Sequence, residues 1–450
     1  MNYFLVFLLA VLPALSWAQA KIQFQTLRYN EDYSQLIEKN TWFEKMKNIT
    51  FGEFRLNFGG DLRTSEEWMA HTDFGQGTNN SDGYFLVRYQ MHMDLHAPSD
   101  VRVFAQLKYS AIASKEGPLS PTDRDEGDLH QLFLDKVWNL ADEEALIARL
   151  GRQETVLGSG LLVGIREGPN SRLSFDSFKM NWGRKKEYSW ELFAGRPVDI
   201  LPWGFDNETS SNILLASLYG DSLRKTPDYQ SDVYFIYYKN DANTFQGTNG
   251  KEERYTFGTR FKTTFPEFIS ETDFMVQFGR FAGKDIWAYG FASQMRAPFI
   301  GNLDGNLQLS GFSGDEDSTD NQLNTFNALF PKGQYYGYSA EIGHPNLIAV
   351  QPGILWKIQP NLKWLNQIGY FWRQNVHDGV YKGNGLLLRP AGGNDQSEIA
   401  GQYNTIVEWK TDTQLTLILE YNHIFPGSFL RETGPSEAVS FTALRAYMYF

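Results

Sequence analysis

The sequence predicts an all-β fold: a transmembrane antiparallel β-barrel of 18 strands, with long extracellular loops and short periplasmic turns. Three observations carry this. First, the 450 residues are polar on average (mean hydropathy −0.41) and acidic (formal net charge −12), yet 15% are Phe, Trp or Tyr. Such a chain must set rings against something apolar while keeping a wet face, as a membrane barrel does. Second, segments of about ten residues, enough for a tilted strand to cross a bilayer, alternate apolar and polar side chains. Third, the connectors alternate long and short. The composition also excludes other classes. Without Cys there is no disulfide scaffold and no thiolate metal site. The polar average excludes a multi-helix membrane protein, and the acidic balance argues against a nucleic-acid partner.

In chain order, residues 1–20 carry no charge. An apolar run over 4–15, broken by Pro13, leads to small residues at Ser16, Ala18 and Ala20 with cleavage-site spacing, which reads as a signal peptide. Residues 21–50 form an N-terminal periplasmic segment or plug. Within it Leu36, Phe43 and Met46 sit at loosely helical spacing, which suits a short helix or a strap against the barrel mouth. The barrel domain spans 51–450.

The first strand sets Phe54, Leu56, Phe58, Gly60 and Leu62 against Arg55, Asn57, Gly59, Asp61 and Arg63. The next sets Phe85, Val87, Tyr89, Met91, Met93 and Leu95 against Tyr84, Leu86, Arg88, Gln90, His92, Asp94 and His96. Further on, Tyr255, Phe257 and Phe261 oppose Arg254, Arg260 and Lys262, and Trp287, Tyr289 and Phe291 share a face. Near the end, Ile399, Tyr403, Val407 and Trp409 oppose Glu398, Gln402, Asn404 and Glu408. Period two with a charged second face is a strand between lipid and a wet lumen. Long connectors fall at 71–82, 113–128, 155–172, 314–346, 374–394 and 426–436, and short ones at 98–100, 139–144, 184–187, 360–361 and 411–413. Two places break the rhythm: 282–283 is short where a loop is due, and 221–230 is long where a turn is due. Trp182, Trp190, Trp287, Trp356 and Trp409 suit aromatic girdles. Terminal Phe450 is similar to the signal read by the barrel-assembly machinery.

The chemistry concentrates at Gly151-Arg152-Gln153-Glu154, Gly158-Ser159-Gly160 and Arg166-Glu167-Gly168-Pro169-Asn170-Ser171-Arg172, closing on Phe175-Asp176. These blocks resemble the alginate-export family of outer-membrane proteins. So do Asp128-Leu129-His130-Gln131, Phe133-Leu134-Asp135, Leu329-Phe330-Pro331-Lys332-Gly333, Trp372-Arg373-Gln374-Asn375, Asp378-Gly379-Val380-Tyr381 and Gly427-Ser428-Phe429-Leu430. The resemblance runs from about Leu56 to Phe450. It implies an eighteen-strand barrel in the bacterial outer membrane and an arginine-lined path for a polyanion.

Physically, the paired glycines and Pro169 allow a tight loop. Arg152, Arg166 and Arg172, with Glu154, Glu167, Asn170 and Asp176, would make a charged constriction if that loop folds into the lumen. Guanidinium groups bind carboxylates in pairs of hydrogen bonds, which suits uronates. The same residues equally well brace the loop through internal ion pairs. Lumen-lining candidates are Asp61, Arg63, Arg88, Asp94, Arg102, Lys108, Asp135, Arg254, Arg260, Lys262 and Arg445, with Arg296, Glu191, Glu271 and Glu408 beside them. They give no lumen of one sign.

The function expected is a passive outer-membrane channel for a hydrophilic, anionic solute such as a saccharide, meeting outer-membrane lipid on its outside and needing no cofactor or metal. The alternatives are a general diffusion porin for small nutrients and a plugged structural barrel. No nucleophile–base pair has catalytic context, so an enzyme is not expected. His92, Asp94 and His96 splay along one strand face and read as lumen lining, and the acidic run Asp315, Glu316, Asp317 and Asp320 reads as a solvated loop.

Overall fold

The computed structural model describes residues 22–450 apart from 37–38, 78–79, 142, 185–186 and 227, so the expected signal peptide lies outside the described residues. Among the described residues, eighteen barrel strands run in order: β1 Phe54–Ala70, β2 Asp82–Ala97, β3 Val101–Ala113, β4 Asp125–Asn139, β5 Glu144–Gln153, β6 Phe175–Arg184, β7 Tyr188–Asp199, β8 Ile213–Thr226, β9 Tyr229–Phe245, β10 Thr248–Phe265, β11 Phe268–Phe281, β12 Lys284–Ile300, β13 Leu303–Phe312, β14 Leu347–Gln359, β15 Leu362–Arg373, β16 Glu398–Lys410, β17 Leu415–Pro426 and β18 Val439–Tyr449. Each pairs antiparallel with the next, and β18 returns onto β1 from Asp61↔Tyr449 to Ala70↔Ser440, closing the sheet. Closure leaves no unpaired edge in the bilayer.

Alternation decides the faces. On β1 and β2, Asn57, Asp61, Arg63, Arg88, Gln90, His92 and Asp94 are buried inward while Phe58 and Met91 are exposed outward. Trp182, Trp287, Trp356 and Trp409 also stand exposed on the outside. One expectation fails here. Simple alternation puts Ile399 on the lipid face, but β16 shifts register against β15 between Phe371 and Trp372, and Ile399 turns inward into the apolar core. A bulge adds a residue and reverses the face of the residues beyond it.

The extracellular connectors are L1 (71–81), L2 (114–124), L3 (154–174), L4 (200–212), L5 (246–247), L6 (282–283), L7 (313–346), L8 (374–397) and L9 (427–438). L5 and L6 are two-residue hairpins. Gln246 and Gly247 have φ of 48° and 79°, and Ala282 and Gly283 have 48° and 90°, which suits a type I′ turn. The stretch at 221–230 is mostly strand, since β8 runs to Thr226 through a register shift after Gly220.

Ahead of β1, the described residues form two short 3-10 turns, Arg28–Asn30 and Glu44–Met46, rather than the helix suggested by the spacing of Leu36, Phe43 and Met46. It lies across the mouth at the turn end. Ile22, Tyr33, Leu36 and Phe43 bury one another, with Phe24, Met46 and Phe450 against them. Two glycines of β1 make room. A Cβ at Gly59 would lie 2.5 Å from the Lys47 ammonium, and one at Gly60 would lie 2.5 Å from the Phe450 ring.

Candidate functional site: the lumenal constriction

L3 has an apolar arm and a polar arm. In the apolar arm Gly158 and Gly160 take φ of 54° and 75°. Leu157, Leu161, Leu162 and Val163 then pack with Phe175, Phe193, Tyr238 and Phe330. L3 also pairs with L7 across the lumen. Gly164 N–H donates to the Phe330 carbonyl (2.9 Å), Phe330 N–H to Leu162 (2.8 Å) and Lys332 N–H to Gly160 (3.0 Å). Buried backbone must find partners, and here two loops supply them to each other.

The polar arm crosses to the opposite wall. The Arg63 guanidinium donates to the carbonyls of Glu167 (3.1 Å), Gly168 (2.9 Å) and Pro169 (2.9 Å). The Asn170 amide donates to the carbonyls of Val87 (3.2 Å), Ala111 (3.0 Å) and Asp123 (3.0 Å). The Glu167 carboxylate pairs with Arg88 and with Arg172 (3.3 Å). Arg172 also pairs with Glu154 (2.8 Å), which accepts from buried His130 (2.8 Å). Burial pushes the Glu167 carboxyl up, but Arg88, Arg172 and Arg63 prevail and hold it at about 2. Arg166 differs. Its guanidinium carbon lies 5.6 Å from the Phe330 ring centroid, it has no ion pair among the described residues, and burial pulls its pKa down.

Opposite this arch, L7 places Tyr338 beneath Arg445, whose guanidinium carbon is 3.9 Å from the ring centroid. Arg445 is held by Glu67 and Glu420, each at 3.1 Å. Two chambers lie against the arch and Tyr338. The extracellular one, about 470 Å³, is lined by residues including Glu67, Asp123, Arg166, Gly168, Tyr338 and Glu341. The periplasmic one, about 620 Å³, is lined by residues including Arg28, Asp61, Arg88, Glu167, Arg172 and Tyr338.

The N-terminal strap walls the lower chamber. Arg28 pairs with Glu31 (2.6 Å) and donates to the carbonyls of Gly60 (2.7 Å) and Phe450 (3.2 Å). The strap also touches L3: the Tyr29 hydroxyl donates to the Glu154 carbonyl (3.0 Å), and Arg172 donates to the Thr26 carbonyl (2.9 Å). Lys47 donates to the carbonyls of Phe58 (2.6 Å) and Phe450 (3.3 Å), and burial pulls its ammonium down to about 7.

The sequence candidates therefore divide. Glu154, Glu167, Asn170 and Arg172 come together, with Arg166 beside them. Arg152 and Asp176 do not. They share the outward face of Leu150 and Phe178 and pair with each other at 2.9 Å near the loop rim. Strand alternation overrides proximity in sequence. Asp61 and Arg88 line the lower chamber. Asp94, Arg102 and Asp135 form one network on the β2–β4 wall, with Arg102 to Asp94 at 2.6 Å and to Asp135 at 3.7 Å, covered by Tyr29. Lys108 pairs with buried Asp125 (2.8 Å), and Arg260 pairs with Asp232 (2.6 Å). Lys262 is half-buried on the same inward face as Arg260. Arg254 is fully buried and holds L7 through the Thr325 carbonyl (3.2 Å), so it does not line an open path. Of the acidic run in L7, Asp315 is buried and accepts from Asn324 N–H (3.0 Å), while Glu316, Asp317 and Asp320 stay exposed.

Sequence reasoning missed Glu67, Glu420 and Tyr338. Continuing the period of Asp61 and Arg63 by four residues would have found Glu67. Tyr338 lies in a loop, where no periodicity points inward.

Known proteins share this architecture. The family model described as alginate export matches residues 54–443. No curated protein matches the sequence. Similar solved structures include OpdO of Pseudomonas aeruginosa (TM-score 0.59, 10% identity, covering 88% of this chain and 97% of that one). A BenF-like porin from Pseudomonas fluorescens Pf-5 gives TM-score 0.59 at 10% identity, covering 88% and 98%. Pseudomonas aeruginosa OpdK with vanillate gives 0.56 at 12%, covering 87% and 98%. At such identities the likeness is one of fold.

Proposed function

The chain belongs to the alginate-export family, and from that premise we propose that it passes a hydrophilic, anionic solute, an acidic saccharide or another small carboxylate. The barrel sits in the bacterial outer membrane and is a channel, a transport protein. Passage is passive, with selection by width and by charged side chains at the constriction and no bond chemistry. The observation that carries the anionic reading is Arg166, a cation without a carboxylate partner among the described residues, in the wall of the upper chamber, with Arg88 and Arg172 in the wall of the lower one. A carboxylate passing there meets guanidinium donors suited to paired hydrogen bonds.

A second reading is a porin for small nutrients, and the chamber sizes favour it. Volumes of about 470 and 620 Å³ hold a small solute or short oligomer rather than a polymer coil. The OpdK structure is of that protein with vanillate, itself a carboxylate, so a small organic acid fits both readings. For the rest of the chain, we assign 1–20 to an export signal, 21–50 to the periplasmic strap and 51–450 to the barrel, and Phe450 to recognition by the assembly machinery.

The test is the reversal potential of the purified barrel in a planar bilayer under a salt gradient, with and without oligouronate. Anion selectivity with current block supports the proposal. Cation-selective or unselective current indifferent to oligouronate overturns it and leaves a porin for other solutes.

A further inference from the structure

We propose that Tyr338 sets the size limit of the channel. Among the described residues it alone lines both chambers. The arch it faces divides at the same level, with Glu167 in the lower chamber and Arg166 and Gly168 in the upper one. The ring therefore stands between the two volumes.

It is also held in place. The Tyr338 N–H donates to Glu420 (3.1 Å), and the Ser339 hydroxyl donates to Asn422 (3.1 Å). The ring carries the Arg445 guanidinium at 3.9 Å, and Arg445 is itself fixed at both ends by Glu67 and Glu420. A cation over a ring face in a desolvated place resists rotation of both. Just before it, Gly337 takes φ of 124°, and a Cβ there would lie 3.2 Å from the Asn422 amide nitrogen, so the backbone reaches this position only with glycine. A ring fixed in this way discriminates by cross-section, whereas the arginines act on charge. A size limit of this kind needs only the channel, not an anionic solute.

The experiment compares wild type with Tyr338→Ala, Tyr338→Phe and Tyr338→Trp in planar bilayers, reading conductance, reversal potential and the largest neutral polyethylene glycol that enters the pore. Tyr338→Ala should raise conductance about twofold or more and admit larger polymers, since an aperture dominates the resistance in series. Tyr338→Phe should match wild type, and Tyr338→Trp should lower both readings. The reversal potential should hold in all three. If Tyr338→Ala fails to yield a heat-stable barrel, the Phe and Trp variants decide. Unchanged conductance and cut-off in Tyr338→Trp, or in Tyr338→Ala, overturn the proposal. Failure of oligouronate to block wild type would overturn the anionic reading and leave this one standing.

Discussion

The two sides of the lumen solve the same problem in opposite ways. Along β6 to β15 the inward side chains include Phe193, Leu215, Ile236, Met275, Phe312 and Phe371, and L3 and L7 dock on them as an apolar plug. Along β1 to β3 and β16 to β18, where loop-end residues such as Ile399, Ile424 and Val439 join the apolar cluster, the inward side chains include Asp61, Arg63, Glu67, Arg88, Glu420 and Arg445. The chambers follow the second side, with Asp61, Arg88, Glu408, Thr416 and Tyr447 in the walls of the lower one. Apolar surfaces gain by excluding water, so they close. Charged ones lose hydration on contact and keep space between them unless each finds a partner. The route through the barrel lies where the loops could not pack dry.

That contrast can be broken from either side, and the largest effect should come from the plug. Phe330 packs edge-on against Phe175 at 5.4 Å and Tyr238 at 6.0 Å, and its backbone joins L7 to L3. Phe330→Ala should cost about 3–5 kcal/mol of local stability. Denaturant titration of tertiary signals would show it, and single-channel records should become noisy as the loops loosen. A quiet channel of wild-type stability would mean that the apolar side does not hold the loops.

Next is the charged side. Arg88→Ala removes a main partner of the Glu167 carboxylate. Breaking a buried pair typically costs about 3–5 kcal/mol, and Arg172 and Arg63 offset part of it here. The readout is pH dependence. With the carboxyl held at about 2, Glu167 keeps its charge throughout the working range, and wild-type selectivity should not respond to it. In Arg88→Ala the carboxyl rises towards its ordinary range, so the reversal potential should move as pH falls towards 4, towards anions as the charge is lost. A flat profile in the variant would remove Arg88 as the controlling partner.

The smallest effect is a sharpening at the upper chamber. Burial pushes Glu341 up to about 7, where it accepts from Asp73 N–H (3.1 Å) near Lys382. A carboxyl raised in the folded state binds more protons than the unfolded chain between its ordinary value near 4.5 and about 7, so stability falls as pH rises through that window. Raising pH from 6 to 8 on the loop side alone should shift the reversal potential towards cations in wild type and not in Glu341→Gln. Restricting the change to that side leaves Lys47, at the other mouth, untouched. An equal shift in the variant would assign it to another group.

The period-two pattern, the eighteen strands and the loop and turn ends were legible in the sequence because alternation is a local property of an extended backbone, visible wherever one face meets lipid. The cluster Glu154, Glu167, Asn170 and Arg172 was legible as a composition, and its resemblance to one family pointed to the same place. The destinations of the arginines were not. Arg63 binds the carbonyls of L3, Arg254 that of Thr325 in L7, and Arg373 those of Val376 (2.7 Å) and Asn394 (2.6 Å) in L8. In sequence Arg63 and Arg254 are simply inward charges on strands, and Arg373 is one residue of a family-like block. Whether an inward arginine faces solute or a folded loop depends on which carbonyls arrive from residues tens or hundreds of positions away. The outward turn of Arg152 and Asp176 and the reversal at Ile399 depend on strand ends and a bulge that periodicity does not locate. Which face most strand residues take follows from the sequence alone, because steric alternation acts between neighbours. Which of those faces stay open follows from the folded loops, because loop closure is settled by contacts between distant segments competing with water.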